Sequence, residues 1–151
     1  MINNILIKTS GDTSDSYEFQ RFTEEKAKND FVVVICGGGT KISKALSDAG
    51  FEIKFDDLHG RITNSLEERL IIKNVLDAEQ KRLQDKFIGK GISVVAPLLD
   101  AASVLCPING DNLVKAYYLG FDEIFVFTLK ERTEVKKEIF KNYPKVKIIG
   151  V

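Results

Sequence analysis

Short apolar runs alternate with helical patterns along the whole chain, and this alternation constrains the fold more than any other feature. Strands are predicted at residues 5–8, 31–35, 51–55, 92–96, 124–128 and 146–149. The run at 31–35 is continuously apolar, which is typical of a parallel strand covered on both faces. The pattern therefore predicts an α/β fold, a three-layer α/β/α sandwich around a mostly parallel sheet.

Helices are predicted between the strands, at residues 15–28, 40–49, 65–87, 112–119 and 133–142. Ser14 or Asp15 is expected to cap the first, and Thr63 or Asn64 the longest. Residues 98–109 are predicted to be irregular or to contain one short strand. The chain has no repeat or linker, so residues 1–151 are predicted to form a single domain. Ligands of such sheets bind at the carboxyl ends of the strands, where we expect the functional residues.

Composition excludes some classes of function. Lys and Arg number 22, Asp and Glu number 22, and the formal net charge is zero, so no basic surface points to nucleic acid. No apolar segment reaches the ~20 residues of a membrane span, and the run 5–7 is too brief for a secretory signal. A cytoplasmic protein with neither nucleic-acid nor membrane partners is expected.

The cysteines and the histidine do not indicate a metal site. Cys36 and Cys106 are far apart and form no CxxC motif, and His59 is the single histidine. A zinc site would therefore need carboxylates to complete its ligands. We predict two buried, reduced thiols and no bound metal of this kind.

The most informative motif is a run of three glycines, Gly37, Gly38 and Gly39, between a predicted strand and a helical pattern. One explanation is a strand-to-helix turn, since glycine adopts positive φ at low cost. A second is a dinucleotide fingerprint, although Ile42 occupies the place of its third glycine; a P-loop is excluded because GxxxxGK[ST] is absent. The third is a phosphate ledge, where backbone N–H groups at a helix N-terminus meet an anion. The glycines alone leave these explanations open.

Four short motifs, taken in order, resemble the amino-acid kinase family. They are Lys8 with the small-residue loop to Gly11, the Cys-Gly-Gly-Gly run at 36–39, Gly-Arg-Ile-Thr at 60–63 before a long helix, and Asn-Gly-Asp at 109–111. The order is most similar to the acetylglutamate kinase branch and covers residues 2–128. The resemblance implies that family's α/β/α fold and ATP-dependent phosphoryl transfer to a carboxylate or phosphate acceptor.

The resemblance also implies roles for individual residues. Lys8 would neutralise charge on the transferred phosphoryl group, and Asp111 would orient the catalytic lysines. The implied substrate-binding residues are Gly37, Gly38, Gly39, Arg61 and Asn109. The planar guanidinium of Arg61 suits a substrate carboxylate. The expected partners are therefore a small anionic metabolite and, because family kinases often dimerise through the acceptor lobe, a second copy of the chain.

The nucleotide side of the family site is expected at Gly11, Thr128 and Lys130. ATP and Mg²⁺ are the implied cofactors if the protein is catalytic, and none is implied otherwise. No residue aligns with the family's second catalytic lysine; Lys130, Lys136 and Lys137 are the candidates.

Several features depart from the family pattern. Ser10 and Asp12 stand where the family has glycines and no charge, and an aspartate repels an anion unless a cation intervenes. Residues 97–106 leave little room for the family's substrate hairpin. No glycine lies between Gly120 and Gly150, where the family has a nucleotide-binding stretch. The alternative hypothesis is therefore a non-catalytic relative, a ligand-binding or regulatory subunit.

Overall fold

The computed structural model describes residues 1–151 and has a central sheet of five strands. In chain order the strands are β1 Asn4–Thr9, β2 Phe31–Ile35, β3 Lys54–Asp56, β4 Gly60–Ile62, β5 Ile92–Val95, β6 Leu98–Ala101, β7 Val104–Pro107, β8 Glu123–Thr128 and β9 Val146–Gly150. The helices are α1 Tyr17–Lys26, α2 Gly39–Asp48, α3 Leu66–Lys86, α4 Gly110–Tyr117 and α5 Thr133–Ile139. The central sheet has the order β5-β2-β1-β8-β9, and all its pairs are parallel.

Helices cover both faces of this sheet. Successive residues of a strand point to opposite faces, so Ile5 and Ile7 pack toward α1 and α3, whereas Leu6 packs toward α4 and α5. The core on the side of α1 and α3 also includes Phe19 of α1 and Leu83 of α3, and both side chains are fully buried. The predicted three-layer α/β/α sandwich is confirmed.

Side chains of α3 form hydrogen bonds with the backbone of the edge strand β5. The Gln84 side chain donates to the carbonyl of Ile92 and accepts from the amide of Val94, each at 2.9 Å. Gln80 donates to the carbonyl of Val94 at 3.0 Å. These bonds satisfy backbone groups that an exposed edge leaves free for pairing with another chain.

Two hairpins outside the central sheet correct the predictions for the connecting segments. The strand predicted at 51–55 is wrong in position: β3 begins at Lys54 and pairs antiparallel with β4. Ile53 packs instead with the small core between α2 and α3. Residues 98–109 were predicted to be irregular or to hold one short strand, but residues 98–107 form the antiparallel β6–β7 hairpin. Ala102, with φ of 53°, lies in its tight turn.

Both predicted N-caps are also corrected. Ser16 caps α1, since its hydroxyl accepts from the amide of Phe19 at 3.2 Å. The buried Ser14 hydroxyl donates instead to the carbonyl of Gly11. Ser65 caps α3 by accepting from the amide of Glu68, and its hydroxyl donates back to the Glu68 carboxylate at 2.9 Å. The Glu68 carboxylate also accepts from the amide of Asn64 at 3.1 Å, one residue before the amide used in the usual capping box, so this is a variant of that motif.

One of the two thiols is exposed, contrary to the prediction. Cys106 is exposed on β7, whereas Cys36 is buried directly after β2. Burial, together with the nearby Glu79 carboxylate, raises the pKa of Cys36 to about 12. No helix combines the length and the apolar character needed to cross a bilayer.

Candidate functional site

A cavity of about 390 Å³ lies at the carboxyl edge of the central sheet, where the sequence predicted the functional residues. Parallel pairing brings the ends of β1, β2 and β8 together, since Lys8 lies opposite both Ile35 and Val126. The cavity is therefore walled by the loops that follow these strands and by the first turns of α2 and α4.

A buried carboxylate between two lysines forms the floor of the cavity. Asp111 Oδ2 accepts a hydrogen bond from Lys136 Nζ at 2.5 Å. Asp111 Oδ1 lies 3.2 Å from Lys8 Nζ, an ion pair whose geometry falls short of a hydrogen bond. All three residues are buried, with exposures of 6–8%. In their charged forms they leave one positive charge in excess, which an anion in the cavity would neutralise.

The local charges set the pKa directions of this cluster. Burial raises the pKa of Asp111, but the ammonium groups of Lys8 and Lys136 lower it more, so the carboxyl is held below its usual range. For Lys136, burial and the neighbouring Lys8 lower the pKa more than Asp111 raises it. The cluster is thus arranged to keep Asp111 ionised.

One side of the cavity, called here the glycine wall, is formed where the loop containing Gly11 touches the loop containing Gly37 and Gly38. A Cβ on Gly37 would lie 2.8 Å from the carbonyl oxygen of Thr9 and 3.0 Å from the amide nitrogen of Gly11. A Cβ on Gly11 would lie 3.3 Å from the Cα of Gly38. Side chains are excluded here because the two loops touch. The turn explanation is wrong, since none of the three glycines has a positive φ; close backbone contact accounts for Gly37. No side chain caps α2, which leaves the amides of its first turn open toward the cavity.

The Arg61 side chain of β4 contacts the N-terminal part of α2. Its Nη2 donates to the carbonyl of Gly39 at 3.2 Å and to Ser43 Oγ at 2.9 Å. Its Nη1 is buried without a hydrogen-bond partner, and the guanidinium lies 4.7 Å from the centre of the Phe55 ring. Burial lowers the pKa of Arg61. Arg61 lines the cavity, but its Nη1 is not accessible in this arrangement, so a ligand carboxylate or phosphate would compete with Gly39 and Ser43 for the guanidinium.

Asn109 has a structural role in addition to lining the cavity. Its side-chain oxygen caps α4 by accepting from the amides of Asp111 and Asn112, at 3.0 and 3.1 Å. This cap fixes the first turn of the helix that carries Asp111. Gly60, with φ of 78°, packs against the Asn109 side chain, and a Cβ there would lie 2.5 Å from Asn109 Nδ2.

Nearly all the residues chosen from the sequence line this cavity. Those that do are Lys8, Gly11, Gly37, Gly38, Gly39, Arg61, Asn109, Asp111 and Thr128. Lys130 does not; it is exposed in a short 3-10 turn, and Lys136 of α5 lies in the cavity instead. Sequence reasoning named Lys136 among three lysines without choosing it, and it overlooked Arg132 and Ser43, which also line the cavity.

The loop residues that departed from the family pattern sit at the rim. Both oxygens of Asp12 accept from Thr40 Oγ1, at 3.1 and 3.2 Å, which joins the two loops of the glycine wall. Ser10 Oγ lies 2.9 Å from Thr13 Oγ1. No group of three His, Cys, Asp or Glu side chains is placed to hold a metal ion.

Comparison with known proteins supports the fold. No protein-family model matches the sequence, and neither does any curated protein. Among solved structures, N-acetylglutamate synthase from Neisseria gonorrhoeae, complexed with coenzyme A and N-acetyl-glutamate, superposes with a TM-score of 0.56 at 9% identity. The match covers 85% of this chain and 42% of the synthase chain. At this identity the likeness shows a shared fold, and this chain spans less than half of the synthase's length.

Proposed function

We propose that this protein binds a small anionic metabolite in the cavity at the carboxyl edge of its sheet. The observation that carries the proposal is the Asp111 carboxylate, which holds Lys8 and Lys136 at the floor of that cavity. Two ammonium groups beside open helix amides concentrate positive potential where water is partly excluded. Arg61 adds a further cation to the lining of the cavity.

The size of the cavity agrees with a small ligand. Pockets for metabolites and drug-sized molecules occupy roughly 300–1,000 Å³, so about 390 Å³ lies at the lower end. The ligands in the synthase structure, N-acetyl-glutamate and coenzyme A, carry carboxylate or phosphate groups. Both chemistries match the lysines and the arginine here, so both classes of anion belong in a first panel.

ATP-dependent phosphoryl transfer to a carboxylate or phosphate acceptor is the second candidate. It is favoured by the sharing of Asp111 between two lysines, because phosphoryl transfer depends on positioned positive charge rather than on a covalent step. Lys8 would stabilise charge on the transferred group. Lys136 would take the role of the family's second catalytic lysine, which the sequence motifs alone did not identify. Asp111 would orient both and remain ionised.

Magnesium would have to come with the nucleotide. No group of three His, Cys, Asp or Glu side chains is placed to hold a cation, and Asp12, bonded to Thr40, is the one carboxylate besides Asp111 that lines the cavity. When bound, Mg²⁺ would neutralise phosphate charge. The catalytic hypothesis therefore includes ATP and Mg²⁺ as cofactors, whereas the binding hypothesis needs neither.

A ligand panel followed by thermal shift tests the proposal. The full chain is titrated with inorganic phosphate, glutamate, N-acetylglutamate and Mg-ATP. Stabilisation that saturates with at least one of these anions is expected, because a ligand that binds the folded state raises the melting temperature. No stabilisation by any of them at millimolar concentration would refute anion binding.

Release of ADP separates the two candidates. Incubation with Mg-ATP and each acceptor should produce ADP if the protein is a kinase, and Lys8→Ala should then abolish release while the circular dichroism spectrum is retained. Anion binding without ADP release would favour the non-catalytic, regulatory alternative. A homodimer and a cytoplasmic location remain predictions; sedimentation equilibrium of the full chain tests the first.

A further inference from the structure

A second buried carboxylate lies behind the cavity rather than in its wall. Glu79 of α3 is 4% exposed and does not line the cavity. Its carboxylate accepts from Lys41 Nζ and, at 2.9 Å, from Arg82 Nη2. Burial raises the pKa of Glu79, but its bonds to Arg82 and Lys41 lower it more. A carboxylate buried this deeply is retained in charged form only when cations pair with it.

Arg82 connects this carboxylate to the loop between β1 and α1, residues 10–16, which contains Gly11 and is called here the first glycine loop. It donates to Ser14 Oγ at 2.8 Å and to Asp15 Oδ1 at 2.7 Å. Ser14 Oγ donates to the carbonyl of Gly11 at 3.1 Å. A continuous chain of hydrogen bonds therefore runs from Glu79 to the backbone of Gly11, which lines the cavity.

Lys41 connects the same carboxylate to the start of α2, directly after the second glycine loop, which is residues 36–38 between β2 and α2. Lys41 lies in the first turn of α2, two residues after Gly39, and its own side chain does not line the cavity. Glu79 thus holds α2 at the end where its open amides face the cavity. The two loops meet at Gly11 and Gly38, so holding both from behind fixes their separation.

We propose that Glu79 is a positioning residue for the anion site, which ties both glycine loops to α3 through Arg82 and Lys41. The inference rests on the proposed function and adds a residue that never touches the ligand. Backbone donors bind an anion well only when they are held within a few tenths of an ångström of the right geometry. A carboxylate shared by the two loops supplies that restraint.

The sign of the effect distinguishes positioning from simple electrostatics. Removing a negative charge near an anion site strengthens anion binding if only Coulomb attraction matters. Loss of positioning weakens it. Glu79→Gln should therefore reduce affinity for the anion, against the electrostatic expectation. Glu79→Asp keeps the charge but shortens the side chain, and it should also weaken binding.

Calorimetric titration of the full-length variants with the tightest-binding anion of inorganic phosphate, N-acetylglutamate and Mg-ATP tests this role. Glu79→Gln and Glu79→Asp should each bind on the order of tenfold more weakly than the wild type. Asp85→Asn removes the same charge from an exposed position of α3 and should bind as the wild type does. Hydrogen exchange at the amides of Gly11 and Gly38 should rise in the Glu79 variants, with exchange in β1 unchanged.

The outcomes separate the inference from the proposed function. Wild-type-like or tighter binding by both folded Glu79 variants overturns the positioning role. A uniform rise in exchange that includes β1 also overturns it, because that pattern indicates general destabilisation. If the wild type itself binds none of the three anions, the proposed function fails first. Should Glu79→Gln fail to fold, Glu79→Asp gives the decision alone.

Discussion

At the scale of single residues, the site depends on one buried carboxylate with two cations. Asp111 keeps its charge because Lys8 and Lys136 outweigh the cost of burial. Removing Asp111 would leave two buried ammonium groups without a counter-charge, and breaking a buried pair in this way costs about 3–5 kcal/mol. Ligand binding and stability are therefore linked at these three residues.

Asp111 should contribute to a pH dependence of stability in acid. Its folded-state pKa lies below the unfolded value of 3.8, so the unfolded chain takes up the proton first as the pH falls. Its contribution is fully present above that value and is lost as the pH drops toward the folded pKa. In urea titrations across this range, Asp111→Asn should lose stability less steeply than the wild type. Asp77→Asn, at an exposed carboxylate of α3, is the control. Equal slopes for the wild type and Asp111→Asn would contradict the assignment.

Arg61 should decide the response to carboxylate ligands. Its guanidinium lines the cavity; a charge-assisted hydrogen bond to a ligand is worth about 1.5–3 kcal/mol, and about 1.4 kcal/mol corresponds to tenfold in affinity. Arg61→Ala should therefore weaken binding of a carboxylate such as N-acetylglutamate by about tenfold or more. Arg69→Ala on α3, away from the cavity, serves as the matched control in the same titration. Unchanged affinity in Arg61→Ala would remove Arg61 from the site.

At the scale of elements, the glycine wall depends on contact between two loops. A Cβ at Gly37 meets backbone atoms of Thr9, Ser10 and Gly11 at 2.8–3.0 Å, and backbone yields less readily than a flexible side chain. Gly37→Ala should lower the free energy of unfolding by about 1–3 kcal/mol, the usual cost of overpacking.

Gly39→Ala is the matched control for stability. Nothing lies within 4 Å of a Cβ there, and alanine favours the first turn of α2. Chemical denaturation of both variants checks the contrast. Equal stability of the two would show that the loops can separate without cost.

The sequence predicted the regular elements well and the connections poorly. The apolar runs 31–35 and 124–128 fixed two strands because both are buried on two faces, which leaves little ambiguity of pattern. The β6–β7 hairpin was not predicted, since Leu99, Val104 and Cys106 are exposed and give no burial signal. Its pairing depends on tertiary contact with α3 rather than on local preference.

The candidate site was predicted to a similar extent. Motif order located Lys8, the glycines, Arg61 and Asp111, and all of them line one cavity. Lys136 was not selected because its place depends on how α5 packs against β9, which no short motif records. Glu79 gave no signal at all, since a glutamate within a charged helix usually lies in solvent.

At the scale of the whole molecule, the fold brings cations from distant parts of the chain to one sheet edge. Lys8 comes from β1, Arg61 from a hairpin beside the sheet, and Lys136 from α5. The formal net charge of zero conceals this concentration. Balanced composition therefore argues against a broad nucleic-acid surface but gives no information on a local anion site.

The central claim is that Lys8 and Lys136, held by Asp111, bind an anion. Calorimetric titration of the full chain with inorganic phosphate, N-acetylglutamate and Mg-ATP tests it most directly, with Lys136→Met and Lys137→Met alongside. Lys137 is the adjacent exposed lysine of α5 and is paired with Glu134. Saturable binding of at least one anion is expected, weakened about tenfold or more in Lys136→Met and unchanged in Lys137→Met. Equal affinity in both variants, or no binding by the wild type, would contradict it.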